Sequence, residues 1–157
     1  MLSGDSLAIA EEFRRSMERR HGAAALADHF RSFDTICSAT QERQDAVVAL
    51  VEEPLDVMVV VGGYNSSNTC HLAALVQSKG VRTFHIEDAD CVDPETGEIR
   101  HQPIGRREEI TTPGWLGQAR IVGITAGAST PNNKVGETIA RICGLAGVGE
   151  ELRALTS

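Results

Sequence analysis

The chain has 157 residues, of which 41% are hydrophobic, 24% charged and 4% aromatic, a composition that excludes disordered, collagen-like and disulfide-scaffold proteins. Its net charge of −7 argues against a nucleic-acid partner, because an acidic surface repels phosphate backbones. No apolar run approaches the roughly 20 residues of a membrane span and no secretory signal is visible, so we expect a cytoplasmic protein without a membrane partner.

Residues 1–30 are predicted to be mainly helical. Apolar residues recur at helical spacing over 7–20, with charged residues between them. Gly22 follows as a stop signal, and 23–30 is predicted to be a second short helical or irregular piece.

Apolar runs and helical patterns alternate over residues 31–147. The predicted strands are 33–36, 55–61, 81–86 and 120–125, and the predicted helices are 41–53, 68–79 and one with Pro131 at its first position. Residues 38–41 match an S-x-x-Q capping box, and the polar stretch 88–118 is predicted to be one long excursion. This alternation predicts an α/β fold, with a small parallel sheet of about four strands and flanking helices. Residues 148–157 are expected to be a C-terminal tail.

Small hydroxyl and amide residues follow three of the predicted strands. The segments are 37–40, 62–69 and 125–130. Because parallel strands end at one edge of a sheet, where helix N-termini present free N–H groups, these segments suit a phosphate or diphosphate cradle that needs no Lys or Arg. The alternative is ordinary helix capping, since Ser, Thr and Asn are the commonest N-caps. The residues alone leave both interpretations open.

The four cysteines form no C-x-x-C pair, which argues against zinc-ribbon and thioredoxin-like sites. Cys70, Cys91 and Cys143 are expected to be reduced thiols that behave as small hydrophobes. Cys37 differs, because it lies between a predicted strand and a predicted helix N-terminus, where the helix dipole favours the thiolate. That position suits a metal or cluster ligand, or a nucleophile.

Other polar and aromatic residues are expected to have structural roles. His85 is predicted to be a hydrogen-bonded core residue, and Trp115 a hydrophobic plug for the long excursion. His71 is predicted to be a capping-turn or packing residue, while Arg43 and Gln44 are expected to orient neighbouring loops through hydrogen bonds.

Three longer motifs carry a resemblance to a known family. They are FDTICSATQERQDA (33–46), VVGGYNSSNT (60–69) and GITAGASTP (123–131), and together they resemble 4-hydroxy-3-methylbut-2-enyl diphosphate reductase of the cyanobacterial and plant type. The resemblance implies an iron–sulfur oxidoreductase of the methylerythritol phosphate pathway of isoprenoid biosynthesis. That enzyme reductively removes a hydroxyl group from its substrate to give isopentenyl and dimethylallyl diphosphates.

The resemblance also implies roles for particular positions. Cys37 matches one cysteine ligand of the family's 4Fe–4S cluster. The positions that match its substrate-binding residues are Ser66, Ser67, Asn68, Ser129 and Thr40. The implied partners are 4-hydroxy-3-methylbut-2-enyl diphosphate and an electron donor of the ferredoxin or flavodoxin type.

Only the last of the family's three lobes is matched, so 31–147 is expected to be one α/β lobe and 1–30 a helical remnant of the preceding lobe. The family's other cluster cysteines, its histidines and its catalytic Glu and Thr belong to the unmatched lobes, so no catalytic residue is assigned within this chain. A cubane cluster takes three or four thiolates, and Cys70, Cys91 and Cys143 are not at the matching positions.

Three functional hypotheses follow. The first is the C-terminal part of the reductase, which needs N-terminal lobes from a separate chain or from upstream sequence and has no turnover alone. The second is a non-catalytic α/β module that binds diphosphate or other anions. The third is an inactive gene remnant, in which the apolar face of the first helix lacks its partner lobe and stays exposed.

Overall fold

A computed structural model describes residues 3–32 and 38–149. The chain divides into two compact units, residues 1–42 and 43–157. In the first unit, helix α1 covers Ser3–His21 and a short 3-10 helix, Ala23–Ala25, leads into α2, Leu26–His29. The predicted stop at Gly22 is confirmed, since this residue has φ +82°, which favours glycine. The apolar face of α1 is exposed at Ile9 and Phe13.

A three-stranded parallel sheet forms the centre of the second unit. The strands are β1 (Val57–Val61), β2 (Arg82–Ile86) and, after the hairpin described below, β5 (Val122–Ala126), in the order β2-β1-β5. All five residues of β1 are buried, as expected for a continuous apolar run covered on both faces. The predicted α/β class is therefore confirmed, and the predicted strand 33–36 lies outside the described residues.

Two of the strands begin later than predicted because of Asp56. Its carboxylate accepts hydrogen bonds from the backbone N–H groups of Arg120 and Ile121, at 2.8 and 3.0 Å. The carbonyl of Ile121 in turn accepts from the N–H of Asp56 at 3.0 Å. Because of these bonds, the residues before β1 and β5 are joined through the Asp56 carboxylate and are not part of the parallel ladder.

The helices agree with the prediction except at their ends. They are α3 (Ser38–Leu50), α4 (Ser67–Ser78) and α5 (Asn132–Leu145). Helix α3 begins at Ser38, three residues before its predicted start, and the capping box at 38–41 stays a prediction. Pro131 is not the first helical residue: its ψ of 142° is extended, which makes it the N-cap of α5.

The core lies on both faces of the sheet, because alternate residues of β1 point in opposite directions. Met58 and Val60 pack with the helical residues Val47, Leu72, Ala73 and Val76 of α3 and α4. On the other face, the cluster is Val57, Val59, Val61, Phe84, Ile86, Cys91, Val92, Ile99, Trp115, Ala126 and Ile142. The unit is thus a helix–sheet–helix sandwich. Within the part of the chain that is described, no helix is long and apolar enough to cross a membrane.

The predicted long excursion, residues 88–118, contains secondary structure that was not predicted from the sequence. It holds a 3-10 helix, Ala89–Cys91, and an antiparallel hairpin of β3 (Ile99–His101) and β4 (Ile110–Thr112). Trp115 is 1% exposed and meets the Phe84 ring edge-on, with 5.4 Å between ring centroids. The predicted plug role of Trp115 is therefore confirmed.

Replacing Trp115 with alanine should lower the free energy of unfolding by about 3–5 kcal/mol, because it empties a packed site in the core. The matched control is Ile110→Ala, since Ile110 is 43% exposed, and it should cost less than about 1 kcal/mol. Urea denaturation measures both. Equal losses for the two variants would contradict this description of the core.

Candidate functional site

The carboxyl ends of β1 and β5 lie side by side. Val61 and Ala126 are paired in the parallel ladder, so two loops leave the sheet together: the β1–α4 turn (residues 62–66) and the β5–α5 turn (residues 127–131). The N–H of Gly127 donates to the carbonyl of Val61 at 3.0 Å. The Thr130 hydroxyl donates to the same carbonyl at 3.1 Å. The β5–α5 turn is therefore fastened to the end of β1.

Two glycines allow this close approach. A Cβ atom on Gly62 would lie 2.6 Å from the Thr130 hydroxyl oxygen and 2.9 Å from that of Thr69. A Cβ on Gly127 would overlap the Thr69 hydroxyl. Gly62 also has φ +145°, a conformation that glycine adopts most readily. Both positions exclude a side chain for reasons of space.

Ser66 is the N-cap of α4, as the capping interpretation predicted. Its hydroxyl oxygen accepts the N–H of Thr69 at 3.3 Å, and its carbonyl accepts the N–H of Cys70 at 2.9 Å. The hydroxyl hydrogen of Ser66 is not used in this bond. Capping therefore accounts for one lone pair of Ser66 and leaves the hydroxyl able to donate.

Helix capping does not explain the environment of the Asn68 side chain, since the N-cap of α4 is Ser66. The side-chain oxygen and nitrogen of Asn68 are both shielded from solvent, and neither has a hydrogen-bond partner among the described residues. The hydroxyl oxygen of the adjacent Thr69 is likewise shielded from solvent and has no partner among the described residues. An unpaired buried polar group costs about 1–3 kcal/mol. The position at the start of α4 also leaves backbone N–H groups free, which favours an anion.

The remaining site residues predicted from the sequence are placed as follows. Ser67 and Ser129 are exposed, each in or beside one of the two turns. Thr40 is half-buried on α3 and belongs to the first unit. Cys37 lies outside the described residues. The structure thus brings together Ser66, Ser67, Asn68 and Ser129 at adjacent strand ends.

Arg43 brings a positive charge to this edge of the sheet. Its guanidinium donates to the carbonyl of Ala126 at 3.1 Å, which confirms its predicted role in orienting a loop. Together with Thr125, Ala126 and Asn132 it borders a cavity of about 440 Å³. The prediction of a cradle without Arg did not include this residue, because its place beside the strand end depends on how α3 packs.

His85 supports the β1–α4 turn from β2. It is 3% exposed, and its Nε2 donates to the carbonyl of Gly62 at 2.9 Å. Burial lowers the pKa of His85, so the ring is a neutral donor, and its predicted role as a hydrogen-bonded core residue is confirmed. His71 is exposed on α4, so its predicted packing role is wrong.

The described cysteines do not provide a cluster site. Cys70, Cys91 and Cys143 are free thiols, and the thiol of Cys70 donates to the carbonyl of Tyr64 at 3.2 Å. Over residues 3–32 and 38–149, no three His, Cys, Asp or Glu side chains are grouped so that they could hold a metal ion. The described residues therefore do not fit a 4Fe–4S cluster, and the predicted ligand Cys37 lies outside them.

Comparison with known proteins gives a consistent set of relatives. Residues 3–143 match the family described as LytB protein. The chain is 52% identical over 151 residues to 4-hydroxy-3-methylbut-2-enyl diphosphate reductase of Gloeobacter violaceus, covering 96% of this chain and 36% of that protein. The enzyme of the same name from Thermosynechococcus vestitus is 46% identical over 149 residues, which cover 94% and 37%. The chain thus spans little more than a third of the length of these curated relatives.

Two solved structures are similar as well. One, of (E)-4-hydroxy-3-methyl-but-2-enyl diphosphate reductase, superposes with a TM-score of 0.54 at 32% identity, over 78% of this chain and 38% of that one. The reductase from Plasmodium falciparum gives a TM-score of 0.56 at 20% identity, over 90% and 36%. The second likeness concerns the fold alone.

The packing of the two turns predicts contrasting effects at two glycines. Gly127→Ala should lower the free energy of unfolding by about 1–3 kcal/mol, because its new methyl group overlaps Thr69. Gly63→Ala is the matched control: the nearest atom to its Cβ is a Glu87 carboxylate oxygen at 4.0 Å, so the effect should stay within about 0.5 kcal/mol. Chemical denaturation measures both, and a tolerated Gly127→Ala would contradict the close approach of the turns.

Burial of His85 and His101 predicts that stability falls in mild acid. Burial lowers the pKa of both rings below 6.5, so the unfolded chain takes up their protons first as the pH drops. The free energy of unfolding should therefore decrease from pH 7 to pH 5. The double variant His85→Gln/His101→Gln should flatten this slope, whereas His71→Gln, at an exposed position, should keep it. A slope unchanged in the double variant would contradict the prediction.

Proposed function

The chain belongs to the LytB protein family, and on that premise we propose that it binds the diphosphate group of an allylic diphosphate at the adjacent carboxyl ends of β1 and β5. The observation that carries the proposal is the side chain of Asn68, whose buried amide has no partner among the described residues. A diphosphate oxygen would accept from that amide nitrogen, and thereby remove part of its desolvation cost.

The groups around Asn68 suit an anion of high charge. The exposed hydroxyls of Ser67 and Ser129 are donors, and the hydroxyl of Ser66 can donate as well, since its capping bond uses only the oxygen. The N-terminus of α4 adds free backbone N–H groups. Each hydrogen bond to a charged oxygen contributes roughly 1.5–3 kcal/mol. Several such bonds would hold a diphosphate in a protein of net charge −7, with Arg43 supplying a cation at the same edge.

In the whole protein, this chain would be the C-terminal, substrate-anchoring part of a 4-hydroxy-3-methylbut-2-enyl diphosphate reductase, the name that its relatives carry. Enzymes of this family are iron–sulfur proteins. We propose Cys37 as one cluster ligand and Thr40 as a residue of the same substrate cavity. The other ligands, the acid–base residues and the contact with a ferredoxin or flavodoxin would come from the part of the relatives that this chain does not cover.

The role of the chain's own residues is then to bind and orient. The two turns would neutralise the diphosphate and fix one end of the substrate, so that its hydroxyl-bearing end is held at a constant position. Because the described residues do not fit a cluster, the chain alone should not reduce the substrate. The free thiols suit the reducing cytoplasm, where we place the protein.

A second candidate is a non-catalytic anion-binding module. It is favoured by the fact that the contacts holding the two turns, those of Gly62, Gly127, Thr69 and Thr130, all lie within the second unit. Both candidates predict diphosphate binding. They differ in whether a separate chain that supplies the remaining lobes restores reductase turnover, which only the first predicts.

Asn68→Ala provides the sharpest test of binding. The Kd for inorganic diphosphate, measured by calorimetry, should rise about 10-fold or more, since one hydrogen bond to a charged group is lost. The melting temperature without ligand should stay the same or rise, because an unpaired buried amide is removed. Ser67→Ala should weaken binding in the same direction, and Ser78→Ala, at the other end of α4, serves as the control.

Two sets of results would contradict the proposal. Absence of saturable binding by the wild-type chain, or unchanged binding by Asn68→Ala, would contradict the proposed site. Anaerobic reconstitution with iron and sulfide should give no substrate-dependent oxidation of a reduced donor, and turnover by this chain alone would contradict the proposed division of roles.

A further inference from the structure

Tyr64, in the middle of the β1–α4 turn, reaches across to the β3–β4 hairpin. Its hydroxyl donates to a carboxylate oxygen of Glu109 at 2.8 Å. One guanidinium nitrogen of Arg100 donates to both oxygens of the same carboxylate, at 2.7 and 2.9 Å. Tyr64 is thus bonded to Glu109, directly before β4, and through that carboxylate it is linked to Arg100 in β3.

The same tyrosine is held at two further points. Its ring meets the ring of His85 edge-on, with 5.0 Å between centroids, and its carbonyl accepts from the Cys70 thiol at 3.2 Å. His85 itself donates to Gly62, at the start of the turn. Ring, carbonyl and hydroxyl of Tyr64 are therefore all fixed, just before the residues that cap and begin α4.

The hairpin is firmly attached to the sheet, so it can hold the turn in place. The N–H of Gln102 donates to the carbonyl of His85 at 2.9 Å. The rings of His101 and Phe84 meet edge-on at 4.8 Å. The hairpin thus connects the turn to the buried part of β2. Tyr64 and loop residues 102–107 line a cavity of about 760 Å³.

The charges of the network favour its bonds. Burial and the bond to Glu109 raise the pKa of Tyr64, which keeps its hydroxyl protonated as a donor. The bonds from Tyr64 and Arg100 lower the pKa of Glu109, which keeps it a charged acceptor. Charge-assisted hydrogen bonds of this kind are stronger than neutral ones.

We propose that Tyr64 and Glu109 are positioning residues, through which the β3–β4 hairpin holds the β1–α4 turn in the conformation that binds an anion. Neither residue needs to touch the ligand. The hairpin contributes by ordering the turn before binding, so that less conformational entropy is lost when the ligand arrives. This inference rests on the proposed function for its consequence in binding, and on the described contacts alone for the ordering of the turn.

Hydrogen exchange of the chain without ligand tests the ordering. In Tyr64→Phe and Glu109→Ala, the amides of Ser66 and Thr69 should exchange about 10-fold faster, while the amide of Val59 in β1 should not change. Glu109→Gln should restore slow exchange, because its amide oxygen can still accept from the tyrosine hydroxyl. Glu108→Ala is the matched control, since the bonds from Tyr64 and Arg100 go to Glu109 and not to this neighbouring carboxylate.

Calorimetry with inorganic diphosphate tests the consequence. The Kd should rise about five- to 10-fold in Tyr64→Phe and in Glu109→Ala, and the double variant should bind as each single variant does, because the two residues form one link. Glu108→Ala should bind as the wild type does.

Unchanged exchange at Ser66 and Thr69 in both Tyr64→Phe and Glu109→Ala would overturn the proposal, as would equally faster exchange in β1. Faster exchange at the turn with unaltered diphosphate affinity would also overturn it. If the wild-type chain binds no diphosphate, the proposed function fails, and the exchange rates still decide whether the hairpin orders the turn.

Discussion

The close packing of Gly62 and Gly127 against the hydroxyls of Thr69 and Thr130 is the constraint on which the proposed site depends. Parallel pairing of β1 with β5 brings the two strand ends together, but only glycines leave space for the hydroxyls of Thr69 and Thr130 between the turns. This packing places the start of α4 beside the β5–α5 turn. The side-chain oxygen and nitrogen of Asn68, in the first turn of α4, are shielded from solvent and have no partner among the described residues. The proposed binding site therefore depends directly on how the two strands end.

Much of this arrangement could be predicted from the sequence, for identifiable reasons. The apolar run of β1 is a local signal, so the α/β fold could be predicted from it. The serines and asparagine after it are local signals too, and they made the segment 62–69 a candidate anion site. The β3–β4 hairpin was missed because its strands have three residues each and depend on distant contacts, such as that of Trp115 with Phe84. Asp56 shortened two strands through bonds to residues far along the chain. The isolation of Asn68 is likewise a property of packing, which no spacing of residues reveals.

The acidic composition and the length of the chain both bear on how an anion could be bound. In a chain with a net charge of −7, the proposed anion binding depends on hydroxyls, backbone N–H groups and a locally placed Arg43. These groups all belong to the second unit, which has its own hydrophobic core. The chain spans little more than a third of the length of its curated relatives. Under the proposed function, substrate anchoring belongs to this chain, and the redox chemistry belongs to the part of the relatives that it does not cover.

The decisive experiment on the proposed site is a titration of the isotopically labelled chain with inorganic diphosphate, followed by two-dimensional NMR. We expect the backbone amides of Ser67 and Ser129 and the side-chain amide of Asn68 to shift together, with one common Kd. Shifts confined to the cavity beside Arg106 and Arg107, or shifts in one turn without the other, would contradict a single site built from the ends of β1 and β5.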